Sequence, residues 1–354
     1  SICTDLKKLG YSTHAVHNNE ATFYGRNTVF SNIGFDTFCS MEYMNGLTDS
    51  PNGWSNDDVL SREIMKTLDS TSGPDFTMAI TVQSHGKYDG IALDDPTIKV
   101  TGAPERKEQA YEYYVNEIHE VDRMIDTLIK ELSNRKEETV LVLYGDHLPS
   151  LDIQKDDLSN ANLYQTQYVV WDNMNLKKKT KNLHAYQLYA EVLDRIQIHE
   201  GMITKYHQQT KHRSKLYLTG LTTLSYDLLY GDNYAYDGEN PFKQTELQMG
   251  TEPVKLTSVQ KTKSGYRVVG SGFTPYCKVY YDGTLVESEW ISSGCLQLQD
   301  EFELDEADKK DSGEPETEVT EPRDVPNAFV VEVQSDDGVV LSSTQAYPAS
   351  QVKK

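Results

Sequence analysis

Apolar and polar positions follow two different rhythms along this chain, with the change falling near Gly250. Before it, short apolar runs trade places with longer helical stretches. Residues 12–16 and 76–82 are strand-like, and 57–68 have helical spacing. Residues 109–132 carry Val115, Ile118, Val121, Ile125, Leu128 and Ile129 close to the 3.6-residue period of a long helix. The run 140–144 is too brief for a helix and reads as a buried parallel strand. Residues 161–171 read as another strand, while 183–199 and 214–230 read as Tyr-rich helices. Strand and helix in turn imply a mostly parallel sheet covered by helices on both faces.

Beyond Gly250 the runs shorten. Residues 254–269, 277–281, 285–291 and 329–333 are β-rich and separated by turn signals such as Asp282-Gly283, Ser293-Gly294 and Asp337-Gly338. The expected fold class is α/β, a partial sheet covered by helices, followed by a small all-β sandwich. Three parts are expected: 1–175, a helical extension over 176–250, and the sandwich over 251–354. The sandwich is expected to fold independently of the rest. Residues 300–326, rich in Glu, Asp and Pro, read as a disordered acidic insert.

The chain has 354 residues, enough for two or three domains, and a formal net charge of −21. That charge argues against nucleic acid as a partner, because phosphate backbones need a basic surface. No run approaches the ~18 apolar residues of a membrane span, and Ser1 does not open a signal peptide. The opening residues 1–11 read as the middle of an amphipathic helix running into a strand, so a fragment or processed product is expected. Four cysteines are too few for a disulfide framework.

Candidate chemistry gathers where strands end. The run 140–144 stops at Gly145, whose freedom permits a sharp turn, and presents Asp146 and His147 side by side. Ligands and metals sit beyond the carboxyl ends of strands in α/β sheets, and carboxylate with imidazole is a common donor pair for divalent ions. An isolated Gly-Asp-His is more often a polar turn. A second loop, after the strand-like 12–16, carries His17, Tyr24 and Arg26; a guanidinium fork with an imidazole suits an anionic phosphate or sulfate, and an aromatic suits a polyol. A third places His85 after another apolar strand. Each alone reads as solvated surface, but three His-bearing loops at one sheet edge are less easily dismissed. His199, His207 and His212 lie in a polar helical region and read as surface.

Six ordered segments carry a resemblance: Gly10-Tyr11-Ser12-Thr13, His17, Phe23-Tyr24-Gly25-Arg26, Ile33-Gly34-Phe35-Asp36, Thr81 to His85, and Tyr144-Gly145-Asp146-His147. Over about residues 1–175 the chain resembles the lipoteichoic acid synthase and phosphoglycerol transferase family of the alkaline phosphatase and sulfatase superfamily. The resemblance implies an alkaline-phosphatase/sulfatase-like sheet. It implies that Asp146 and His147 bind a catalytic Mn²⁺ or Mg²⁺, and that His17, Tyr24, Arg26 and His85 contact the phosphoryl group and glycerol. Tyr24 stands where the synthases carry Trp. His85 would protonate the leaving alkoxide. The family's Thr nucleophile and its metal-binding Glu would precede Ser1, as would its membrane helices, so this chain alone is expected to be inert.

The resemblance further implies phosphatidylglycerol as donor, a polymer or glycolipid hydroxyl as acceptor, and a place on the extracellular face of a bacterial membrane. Residues 269–283, with Gly270-Ser271-Gly272-Phe273 and Asp282-Gly283, resemble an IPT/TIG-type immunoglobulin-like module, which would make cell-wall or protein contacts. Other readings stay open: a sulfatase, phosphodiesterase or phosphoethanolamine transferase of the superfamily, or a non-catalytic surface-binding protein.

Overall fold

A computed structural model describes residues 1–212, 214–299, 302–304 and 322–353, without the side chains of residues 105 and 106. Its first half is built on a sheet of order β3-β1-β2-β6, formed by Ser12–His17 (β1), Thr37–Cys39 (β2), Asp75–Ile80 (β3) and Gln248–Met249 (β6), with every pairing parallel. Helix α1 (Ile2–Lys7) precedes β1, and α2 (Arg26–Ile33) lies between β1 and β2. Helix α3 (Val59–Asp69) packs on β1 and β3 and against the long α4 (Glu105–Asn134). Ala15, Val16, Phe30, Phe38, Leu60 and Leu128 are all buried in the resulting core. The Phe30 ring meets Phe35 and Phe38 edge-on at 5.5 and 4.8 Å, the arrangement aromatic quadrupoles favour.

The apolar run at 140–144 departs from expectation. Strand β4 (Val140–Tyr144) pairs antiparallel with β5 (Tyr168–Asp172), from Val140 opposite Asp172 to Tyr144 opposite Tyr168, in a separate two-stranded ladder. It is half-buried, and Tyr144 is exposed. Leu141 and Trp171, which face each other across the ladder, pack against the main core. An apolar run of five residues does not by itself distinguish a strand buried on both faces from a ribbon buried on one. Gly145 is also more ordinary than expected, since its φ is not in the left-handed region.

Helices α5 (Leu188–Arg195), α6 (Met202–Gln209) and α7 (Tyr217–Tyr230) make up the extension. His207, read from sequence as surface, is buried there, with Nδ1 2.7 Å from the Tyr217 hydroxyl. The aromatic neighbours that enclose it are spread from Tyr186 to Tyr217 and form no local pattern.

The C-terminal half consists of two antiparallel sheets. One joins β7 (Lys255–Thr262), β8 (Gly265–Ser271), β12 (Cys295–Leu298) and β11 (Ser288–Ser292); the other joins β9 (Cys277–Tyr281), β10 (Thr284–Val286), β13 (Ala328–Gln334), β14 (Val340–Ser343) and β15 (Tyr347–Pro348). The run 285–291, expected as one strand, is divided between the two sheets as β10 and β11. Most of the acidic insert expected at 300–326 lies outside the described residues. Its described edges are ordered: Phe302 packs edge-on to Tyr266 and Phe329, and Leu304 is buried. One contiguous apolar cluster runs from Phe38, Tyr43 and Met44 in the first half to Phe273, Val279 and Phe329 in the second.

Candidate active site

Strands β1 and β3 run side by side in the same direction, with His17 in register with Ile80, so the loops that follow them leave the same edge of the sheet. Asp57 ties those loops together. Its Oδ1 accepts from Asn18 Nδ2 and from the Val82 amide, both at 2.9 Å, and its Oδ2 accepts from the Gln83 amide at 3.2 Å. The Asp57 amide in turn donates to Gln83 Oε1 at 2.8 Å. Neither Asp57 nor Asn18 is exposed at all. Sequence reasoning missed both, because a polar residue just after a strand or just before a helix carries no signal of the distant backbone groups it holds together.

His17 is 1% exposed. Its Nδ1–H donates to the Ile80 carbonyl at 2.9 Å, which fixes the tautomer, and its Nε2 is buried without a partner. Burial and the nearby Arg26 guanidinium push its pKa down to about 4. His17 is therefore neutral near pH 7 and presents a lone pair. It can accept a hydrogen bond from a hydroxyl but cannot serve as a cation toward a phosphate oxygen.

Arg26 opens α2, and its Nη1 donates to the Glu20 carbonyl at 3.3 Å. Its guanidinium lies over the rings of Phe23 and Tyr24, 5.0 and 5.9 Å from their centroids. Tyr24 is 85% exposed and holds φ at 57°. A non-glycine residue there is strained by about 1–3 kcal/mol, a cost that clusters at binding sites. Gly25, next along at φ 63°, can take that conformation freely.

The loops that carry His85 and His147 meet directly. The His85 and His147 rings are 6.0 Å apart, edge to face. Trp54, absent from the expected site, stands edge-on to His85 at 5.5 Å and donates its Nε1–H to the Gly86 carbonyl at 3.0 Å. Asn52 donates to the His85 carbonyl at 3.0 Å. A Cβ on Gly86 would lie 2.6 Å from Ser150 Oγ, so a side chain there would force Ser150 aside where the two loops meet. In both His85 and His147, Nδ1 donates to a backbone carbonyl, Gly86 at 2.9 Å and Leu148 at 2.8 Å, leaving Nε2 free. Asp146 Oδ1 accepts the His147 amide at 2.9 Å, and Oδ2 lies 3.8 Å from His147 Nε2.

Among the described residues no group of three or more His, Cys, Asp or Glu side chains is placed to hold a metal ion. Asp146 and His147 nonetheless fit a divalent ion in their chemistry. One carboxylate oxygen and one imidazole nitrogen are free beside each other, and the backbone bond to the other ring nitrogen is the usual orienting contact of a metal-bound His. They would be two members of a larger ligand set.

His17 and Asp57 make opposed contributions to stability with pH. For His17 the folded pKa is about 4, below the ordinary ~6.5, so its contribution is lost as pH falls through that window. Burial pushes the Asp57 carboxyl up to about 6 from 3.8 against its three hydrogen bonds, so its contribution is gained as pH falls from 6. Each amounts to about 3 kcal/mol. Urea denaturation between pH 4 and 7 is expected to show Asp57→Asn losing stability on acidification and His17→Gln gaining it. Parallel profiles for both variants would refute these environments.

No described helix is long and apolar enough to cross a membrane. A family profile described as "Sulfatase" matches residues 1–198, more than half of the chain. The "Putative cyclic beta-1,2-glucan modification protein" of Rhizobium meliloti (strain 1021) is 31% identical over 197 residues, 51% of this chain and 30% of that protein. "Lipoteichoic acid synthase 2" of Bacillus subtilis (strain 168) is 23% identical over 194 residues, 54% of this chain and 29% of its own length. The chain thus spans under a third of the curated relatives it matches. The solved structure of Streptococcus pyogenes phosphoglycerol transferase GacH in complex with sn-glycerol-1-phosphate shares its fold at TM-score 0.53 and 18% identity, over 66% of this chain and 65% of that one.

Proposed function

The chain belongs to the sulfatase family, and from that membership we propose that it carries the phosphate-facing side of a metal-dependent phosphoglycerol transferase site. The observation that carries the reading is the meeting of His85 with His147 at 6.0 Å, beside a strand end that presents the unpartnered Nε2 of His17. The activity is proposed for the full-length protein.

The residues divide the work by charge. Arg26 offers the phosphoryl oxygens a planar fork that can bind two of them at once. Neutral His17 accepts a hydrogen bond from a glycerol hydroxyl, and the exposed Tyr24 ring walls the polyol. As the imidazolium, His85 hands its Nε2 proton to the departing alkoxide and is left neutral with Nδ1–H still on the Gly86 carbonyl, a step typically worth about 10²–10⁴-fold in rate. Asp146 and His147 would hold a divalent ion, which would supply charge neutralisation and a more acidic nucleophile. An imidazole donor suits Mn²⁺ better than Mg²⁺, which prefers an all-oxygen octahedron.

The proposed donor is phosphatidylglycerol, met at the outer face of a bacterial membrane. The 31% identity to a protein named for glucan modification favours a glycan hydroxyl as acceptor. The IPT/TIG-type assignment of the sandwich is part of the same proposal. The test is transfer of labelled glycerol phosphate by the full-length protein with Mn²⁺, using phosphatidylglycerol as donor and a glucan as acceptor. Transfer from phosphatidylglycerol and not from phosphatidylethanolamine is expected. Release of sulfate from an aryl sulfate, with no transfer from either lipid, would overturn the reading.

A further inference from the structure

We infer that the C-terminal β-module is a working part of the seat of the His17–Arg26 loop, with Glu42 as the positioning residue that joins the two. The inference rests on the proposal that this loop holds substrate. Glu42 has no exposed surface, and both its carboxylate oxygens lie within hydrogen-bond distance of the Ala21 amide, at 3.0 and 3.3 Å. Ala21 sits midway between His17 and Arg26. The Met41 amide donates to the Asn19 carbonyl at 3.2 Å, so residues 41 and 42 grip the loop by two backbone groups.

The same short segment is held from its other side by the β-module. Thr274 Oγ1 donates to the Glu42 carbonyl at 2.7 Å in a buried contact. Asn45 Nδ2 donates to the Phe273 carbonyl at 3.3 Å, and the Tyr43 and Ser342 hydroxyls are 2.7 Å apart. Gly250 is shaped for this junction: a Cβ there would lie 2.6 Å from Tyr43 Cδ1.

A buried carboxylate is a poor choice if the segment only needed filling. Removing it from water is costly, and burial raises its affinity for a proton. No ion pair holds Glu42 among the described residues, and its side-chain acceptors serve a loop amide. That placement makes sense for holding the loop's path, since a shift of about 1 Å in a binding group can cost about 100-fold in rate. The path of force runs from Thr274 through Glu42 to Ala21, so the module beyond Gly250 is coupled to the loop that carries His17, Tyr24 and Arg26.

Two readouts test this, one of them independent of turnover. In the 354-residue chain, amide exchange over residues 18–26 is expected to quicken roughly tenfold in Glu42→Ala, with other segments unchanged. Glu42→Gln keeps an acceptor and should restore most of the protection. Thr274→Val removes the bond to the Glu42 carbonyl together with the local 3.3 Å contact from the Tyr276 amide to Oγ1, and should loosen the same amides while β7 and β8 stay protected. In the full-length protein, Glu42→Ala should raise KM for the lipid headgroup by about tenfold with a smaller change in kcat. Unchanged exchange at 18–26 in folded Glu42→Ala, or a uniform rise across the chain in Thr274→Val, would overturn the inference. Absence of turnover with every headgroup would sink the proposed function instead, while the exchange data still decide this one.

Discussion

Asp146→Ala in the full-length protein is expected to lower transferase turnover by more than the 10–100-fold typical of losing a group that merely supports a metal ligand. Asp146 is exposed, and its neighbours give it no structural task beyond its own loop. Oδ1 accepts the His147 amide, and Oδ2 is left beside His147 Nε2. Removing it takes away the carboxylate beside His147, and a hard cation without an anionic donor is held weakly. Asp146→Asn separates the two roles, because it keeps an oxygen for the His147 amide but not the charge. Both variants should lose activity and bound metal together. Near-normal turnover and metal content in Asp146→Ala would refute the assignment.

Arg26→Lys is expected to cost roughly 10²-fold in kcat/KM, close to the loss from removing one electrostatic contact altogether. Lys keeps the charge, but not the planar fork or its seat over the Phe23 and Tyr24 rings. The variant also has a reporter besides activity. Arg26 is one cause of the low His17 pKa, and Lys preserves a nearby positive charge, so that pKa should stay low. Arg26→Gln removes the charge and should let it rise, as followed by ring resonances of His17. Wild-type kinetics in Arg26→Lys would show that phosphate is not read by a fork here.

Much of this arrangement was legible in the sequence, and for physical reasons. Helix α4 declared itself by periodicity, because a helix buried along one stripe must repeat its apolar residues. The strand-end positions of His17 and His85 followed from short apolar runs, and β1 and β3 prove to be parallel neighbours. What stayed hidden depends on partners distant in sequence. The antiparallel pairing of β4 is decided by Tyr168–Asp172, and nothing within 140–144 records it. Asp57, Asn18 and Trp54 act through backbone groups of other loops, so their types alone carry no sign of it. The burial of His207 likewise comes from rings brought in by three helical segments. The shared core of the two halves is invisible to a composition change near Gly250, which marks a change of architecture and not a loss of contact.

In the proposed site His85, Asp146 and His147 face one metal-assisted phosphoryl centre, with His17 at its edge. Titrating the full-length protein with Mn²⁺ while following the histidine ring resonances tests it most directly, since the paramagnetic ion broadens only nearby nuclei. His147 is expected to broaden first, His85 next and His17 after it, while His199, His207 and His212 stay sharp. Broadening confined to His199, His207 or His212, or none at His147, would contradict it.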